Sequence, residues 1–159
     1  MVTARPLGAL SIDEILAAAR ARLVRVTPHE AFREAADGAV LIDIRPAAQR
    51  ARDGEIPGSV IVERNHLEWR LDPCCDARLP WATGYDHRVI VICVEGYTSS
   101  LAAAALHDLG LHRATDVIGG FRAWTAAGLP TAPGGAGTVT LAPGAGPALP
   151  PGRVPAVRV

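Results

Sequence analysis

The chain has 159 residues, enough for one domain with a substantial core. Its 16 cationic residues, all arginine, balance 16 acidic ones, and zero net charge removes the electrostatic case for nucleic acid or an anionic membrane surface as partner. Asp13 and Glu14 interrupt the first apolar run, so no signal peptide is expected there, and the longest strongly apolar stretch, Val89 to Val94, is too short to cross a bilayer.

Ser11 followed by Glu14 is a capping-box pattern and predicts a helix from Ile12 to about Arg22. "LVRVTPHEAFREAADG" then reads as a short strand, a turn at Thr27-Pro28 and a helix stopped at Gly38. The run Ala39 to Arg45, rich in β-branched residues and bounded by Gly38 and Pro46, fits a strand buried on both faces. "PAAQRARDG" is a short helix, and a turn at Pro57-Gly58 leads into a third strand. "NHLEWRLD" supplies one or two helical turns, and the segment from Pro73 to Asp86 reads as a loop. Val89 to Cys93 is the strongest strand signal, followed by a helix from Thr98 to Leu109 with Gly110 closing it. "ATDVIGG" is a last short strand, and "FRAWTAAG" a last helix stopped at Gly128.

Strands alternate with helices throughout. The expected fold is α/β, a mostly parallel central sheet flanked by helices on both faces. The expected organisation is an N-terminal helical extension at 1–22, one domain at 23–130, and a disordered Pro/Gly-rich tail at 131–159.

In an open α/β sheet, ligands sit outside the carboxyl ends of the strands. Cys93 falls at such an end, and Val94, Glu95, Gly96, Tyr97, Thr98 and Ser99 connect it to a helix start. Free amides and the helix dipole favour an anion there, and Gly96 permits a tight loop with amides turned inward. A sulfur anion, thiolate or persulfide, would be stabilised in such a loop. The competing reading is that a cysteine closing an apolar strand is small core filler. Cys74 and Cys75 are adjacent, and three cysteines form neither a disulfide framework nor a zinc-knuckle pattern, so a reduced cytoplasmic setting is the simpler expectation. The five histidines show no metal-binding spacing, and no metal or cofactor is expected. The abundance of Ala, Gly, Pro and Arg fits a GC-rich, bacterial genome.

Four segments together resemble the rhodanese family of sulfurtransferases, over about Val24 to Pro130. "LIDIRP" at 41–46 is similar to its Asp-x-Arg strand end. "GEIPGS" at 54–59 is similar to its G-H-I-P-G-A turn, with Glu55 in place of His. "CVEGYTSS" at 93–100 is similar to its Cys-x-x-Gly-x-[Thr/Ser/Arg] active loop, and "VIGGFRAWTAAGLP" at 117–130 to its closing segment. The resemblance implies that Cys93 takes a sulfane sulfur from thiosulfate or a persulfide donor, small molecule or protein, and passes it to a thiol or other thiophilic acceptor. It implies a persulfide held by backbone amides from Val94 to Ser99, with the Thr98 hydroxyl adding a bond. It implies nothing about oligomeric state.

Two departures bear on the donor. Members that prefer thiosulfate often carry cations just after the cysteine, where this chain has Val94 and Glu95. Arg64 and Arg70 are the candidates to restore positive charge at the rim. Phosphatases and arsenate reductases of the Cys-x5-Arg type share the fold, but the position of their anion-clamping arginine is Ser99 here, which argues against phosphoryl transfer. Asp43 and Arg45 read as an ion-pair scaffold, and one of Cys74 and Cys75 is a candidate to resolve the persulfide. The alternative to an enzyme is a non-catalytic rhodanese-like binding or redox-sensing module.

Overall fold

A computed structural model describes residues 4–134. In chain order these form α1 (Ile12–Ala21), α2 (Pro28–Ala36), β1 (Val40–Asp43), α3 (Ala47–Asp53), β2 (Val60–Ile61), a 3-10 turn (Arg64–His66), α4 (Leu67–Leu71), β3 (Val89–Ile92), α5 (Thr98–Asp108), β4 (Thr115–Asp116) and α6 (Gly120–Ala126). The sheet runs β2-β1-β3-β4, and each neighbouring pair is parallel. The α/β architecture is therefore the one expected.

The apolar runs explain the layers. Successive strand side chains point to opposite faces, so a strand apolar at every position must be covered twice. Val89 and Val91 of β3 face a core completed by Leu67 and Leu71 of α4 and Ala102, Ala103 and Leu106 of α5. Ile90 and Ile92 face the other core, closed by Ala31 of α2 and by Phe121 and Trp124 of α6.

Both helix starts read from the sequence carry complete capping boxes. In α1 the Ser11 side chain accepts from the Glu14 amide and Glu14 accepts from the Ser11 amide; Thr27 and Glu30 do the same for α2, with Pro28 at its first turn. α1 packs on α5 and buries Leu16 and Ala19.

Three segments differ from the sequence reading. The strand expected at 23–26 is a single parallel bridge between Val26 and Val117. The third strand is only two residues and lies at the edge of the sheet, with no further strand beside it among the described residues. The chain also stays paired past residue 131: Glu55 and Ala132 exchange amide-to-carbonyl bonds of 2.9 and 2.8 Å in an antiparallel bridge. The remainder of the expected tail, 135–159, lies outside the described residues.

Candidate active site

β3 ends at Ile92, and Cys93 is the next residue, at the carboxyl edge of the sheet. Its sulfur receives two amides. The N–H of Gly96 lies 3.2 Å from Sγ and that of Ser99 lies 3.4 Å away. Cys93 is 9% exposed, so the sulfur is sheltered yet reaches a cleft of about 510 Å³. Cys93 also belongs to the apolar core that Val89 and Val91 face, so its sulfur has packing on one side and the two amides and the cleft on the other.

The loop can take this shape because of two glycines. Gly96 has φ +81°, and a Cβ there would lie 2.8 Å from the Gly119 nitrogen. Gly120 has φ +60°, and a Cβ there would lie 2.7 Å from both the carbonyl carbon and oxygen of Val94. The turn at 119–120 thus forms a floor on which the loop rests. Two bonds fix it there: the Phe121 amide donates to the Cys93 carbonyl at 2.8 Å and the Arg122 amide to the Val94 carbonyl at 3.0 Å.

The structure brings Cys93, the loop that follows it and Arg64 together. Val94, Glu95, Tyr97, Thr98 and Arg64 line the cleft with Cys93, and Gly96 and Ser99 supply the amides beneath the sulfur. The hydroxyl that meets the sulfur is that of Ser99, at 3.2 Å, in place of Thr98, which stands exposed on the cleft wall. Arg70 is not on that wall; it donates to the Ala77 carbonyl. Arg64 is on it, but its guanidinium is held by both Glu68 oxygens at 2.8 and 2.9 Å. Glu95 pairs with Arg122 across to α6.

Asp43 and Arg45 form the buried scaffold expected. Arg45 Nε and Nη2 grip the Asp43 carboxylate, with Nη2 at 2.7 Å; Nη2 also donates to the Gly54 carbonyl at 2.8 Å, and the guanidinium stacks 3.8 Å from the Phe121 ring centre. Cys74 and Cys75 do not line the cleft; Cys74 lies 3.3 Å from the Tyr85 hydroxyl.

The sequence reading missed a buried polar network behind the loop. Asp116 on β4 accepts from the Ser99 and Ser100 hydroxyls, each at 2.8 Å, and from Arg25 at 2.8 and 3.1 Å. Arg20 of α1 and Arg25 both donate to the Gly96 carbonyl, at 2.8 and 3.1 Å, which pins the Gly96–Tyr97 peptide plane.

The family model for the rhodanese-like domain matches residues 27–127. A protein named thiosulfate sulfurtransferase GlpE from Stutzerimonas stutzeri is 35% identical over 100 residues, which are 63% of this chain and 83% of that protein. The crystal structure of a thiosulfate sulfurtransferase from Pseudomonas aeruginosa superimposes with a TM-score of 0.56 at 26% identity, over 69% of this chain and 19% of that one. A protein of unknown function from Rhodopseudomonas palustris, described as a possible tyrosine phosphatase, superimposes with a TM-score of 0.72 at 31% identity, over 81% of this chain and 99% of that one.

Proposed function

The chain belongs to the rhodanese-like domain family, and from that membership we propose that it is a sulfurtransferase working through a persulfide on Cys93. The observation that carries this reading is the convergence of the Gly96 and Ser99 amides on the Cys93 sulfur at the floor of an open cleft. In the first half-reaction the Cys93 thiolate attacks the outer sulfur of a sulfane donor. The donor's S–S bond breaks, its electron pair leaves with the inner group, and Cys93 becomes Cys–S–S⁻. In the second, a thiolate or other thiophilic acceptor attacks the outer sulfur and Cys93 leaves as the thiolate. The kinetics are ping-pong, because the enzyme carries the group covalently. Donated amides support an anion without any reorganisation of solvent, and the α5 dipole adds to them.

The donor class follows from the charges on the wall. Arg45 and Arg64 both line the cleft, and each already serves a carboxylate; Glu63 and Glu95 line it too, paired with Arg50 and Arg122. A dianion such as thiosulfate gains little there, so a persulfide carried by a small thiol or a protein is the preferred donor and a thiol the acceptor. A reduced, cytoplasmic setting suits the three free cysteines.

Phosphoryl transfer is disfavoured. The sixth position after Cys93 is Ser99, fully buried and tied to the Asp116 carboxylate. A phosphate would meet a hydroxyl backed by negative charge where it needs a guanidinium. The second reading is a binding or redox-sensing module, favoured by the same paired arginines.

Intact-mass spectrometry decides between them. Reduced protein incubated with glutathione persulfide or thiosulfate is expected to gain one sulfur, about 32 Da. Cys93→Ser is expected to gain none while keeping its circular dichroism. Failure of every donor to load the wild type would end the enzyme reading in favour of the module.

A further inference from the structure

Ser99 stands between two acceptors. Its Oγ lies 3.2 Å from the Cys93 sulfur on one side and 2.8 Å from Asp116 Oδ2 on the other. A hydroxyl has one hydrogen to give and lone pairs to receive. While Cys93 is a thiol, every demand is met: the S–H donates to Ser99 Oγ, and Ser99 donates to Asp116. Once the sulfur is an anion it has no hydrogen to give and seeks donors, and Ser99 has only the one that Asp116 holds. Asp116 can release it, because it keeps the Ser100 hydroxyl at 2.8 Å and two bonds from Arg25 at 2.8 and 3.1 Å.

We infer that the Ser99 hydroxyl proton faces Asp116 while Cys93 is a thiol and turns to the sulfur when Cys93 is an anion, so that Asp116, a positioning residue acting through Ser99, competes with the sulfur and sets how readily the anion forms. The inference rests on Cys93 being the reacting sulfur. The proton budget is closed: the thiol proton leaves to solvent through the cleft, Ser99 keeps its own and changes acceptor, and Asp116 stays a carboxylate. No bond other than S–H is broken. The remaining charged groups that face the sulfur are Arg45, Glu63, Arg64 and Glu95 around the cleft, with Arg20 and Arg25 behind the loop. All six residues are kept in the variants below; Asp116→Asn takes the carboxylate partner from Arg25, and that charge effect, unlike the freed donor, persists when Ser99→Ala is added.

The test is the pH profile of Cys93 alkylation by iodoacetamide, read on the peptide that contains Cys93 so that Cys74 and Cys75 do not contribute. Asp116→Asn removes the charged competitor, and a charge-assisted bond is roughly twice as strong as a neutral one, so the alkylation midpoint is expected to move about one pH unit toward acid. Adding Ser99→Ala to Asp116→Asn is expected to return most of that shift, because the freed donor is then gone. No shift in Asp116→Asn, or a shift that persists in full in the double variant, would overturn the inference. Should Asp116→Asn fail to fold by circular dichroism, Ser100→Ala probes the same competition from the other side. Asp116 then loses a donor, holds Ser99 harder, and the midpoint is expected to move roughly half a unit toward alkali; an unmoved midpoint or an acid shift would overturn the inference. Alkylation needs no sulfur donor, so this profile can fail while mass loading succeeds, and the reverse.

Discussion

Gly120 touches no substrate, yet Gly120→Ala is expected to disable the active loop. Two costs add. The residue sits at φ +60°, where a Cβ costs about 1–2 kcal/mol. That Cβ would also lie 2.7 Å from the Val94 carbonyl carbon, and backbone cannot rotate aside as a side chain can, so overpacking adds about 1–3 kcal/mol. A total near 3 kcal/mol in a domain of this size lowers Tm by roughly 10 °C. Relief comes by pushing the loop off its floor, which stretches the bonds from Phe121 and Arg122 to the Cys93 and Val94 carbonyls and spreads the amide cradle. A displacement approaching 1 Å is worth up to about 100-fold in rate. The assay is the rate of sulfur loading onto Cys93 by intact mass, well below Tm, together with thermal melts. Two controls separate strain from contact. Gly128 has φ +69° with open space around its Cβ, so Gly128→Ala is expected to cost about 1 kcal/mol and leave loading intact. Gly119 has φ +75°, and its Cβ would meet only the Ala123 side chain and Cα within α6, so Gly119→Ala is expected to melt earlier yet load near the wild-type rate while folded. Wild-type loading in Gly120→Ala, or an equal loss in Gly128→Ala, would refute the reasoning.

Glu95→Gln frees the Arg122 guanidinium beside the cleft. Initial loading from thiosulfate is expected to rise several-fold at low salt and to return toward wild type near 1 M salt, where the screening length is about 3 Å; stopped-time mass loading at two salt concentrations checks it. Arg45→Met leaves Asp43 as a buried unpaired charge and is expected to cost about 3–5 kcal/mol in urea unfolding, with Asp43→Leu added to it recovering much of the loss. The α2 start is acid-sensitive. The Thr27 amide and hydroxyl hold the Glu30 carboxyl below its ordinary value of 4.5. A lowered folded-state value means this stability is present above the unfolded pKa and is lost as pH falls through the folded one. Thermal melts of Glu30→Gln are therefore expected to converge on wild type as pH drops below about 4.5.

What could be read from the sequence was local. Ser11 with Glu14 announces α1, an unbroken apolar run announces β3, and Cys93 at its end announces the loop. What could not be read depends on groups far apart in sequence. Asp116 meets Ser99 and Ser100 at separations of 17 and 16 residues and Arg25 at 91, and nothing in "ATDVIGG" says that its carboxylate points beneath the active loop. The choice between Thr98 and Ser99 as the hydroxyl on the sulfur turns on the phase of the first turn of α5, which a one-residue change in its start would reverse. The pairing of Ala132 with Glu55 is hidden for a related reason. A Pro- and Gly-rich composition shows that a segment cannot build its own core, but not that an existing edge will accept it.

The N-terminal helix gains a role from the same network. Arg20 and Arg25 both precede the span 27–127 that defines the family match, and both end on the Gly96 carbonyl. Arg20 reaches it only because α1 packs on α5, which places the last turn of one helix beside the first turn of the other. The loop is therefore held from three directions: by the 119–120 turn below, by Asp116 behind Ser99, and by two arginines on the Gly96 carbonyl. Each support fixes backbone that presents an amide to the sulfur, and none of them places an uncompensated positive charge in the cleft. A loop steadied this way presents its amides to the sulfur by geometry alone, and the proposed preference for a persulfide donor over a free dianion rests on that absence of spare positive charge at the entrance.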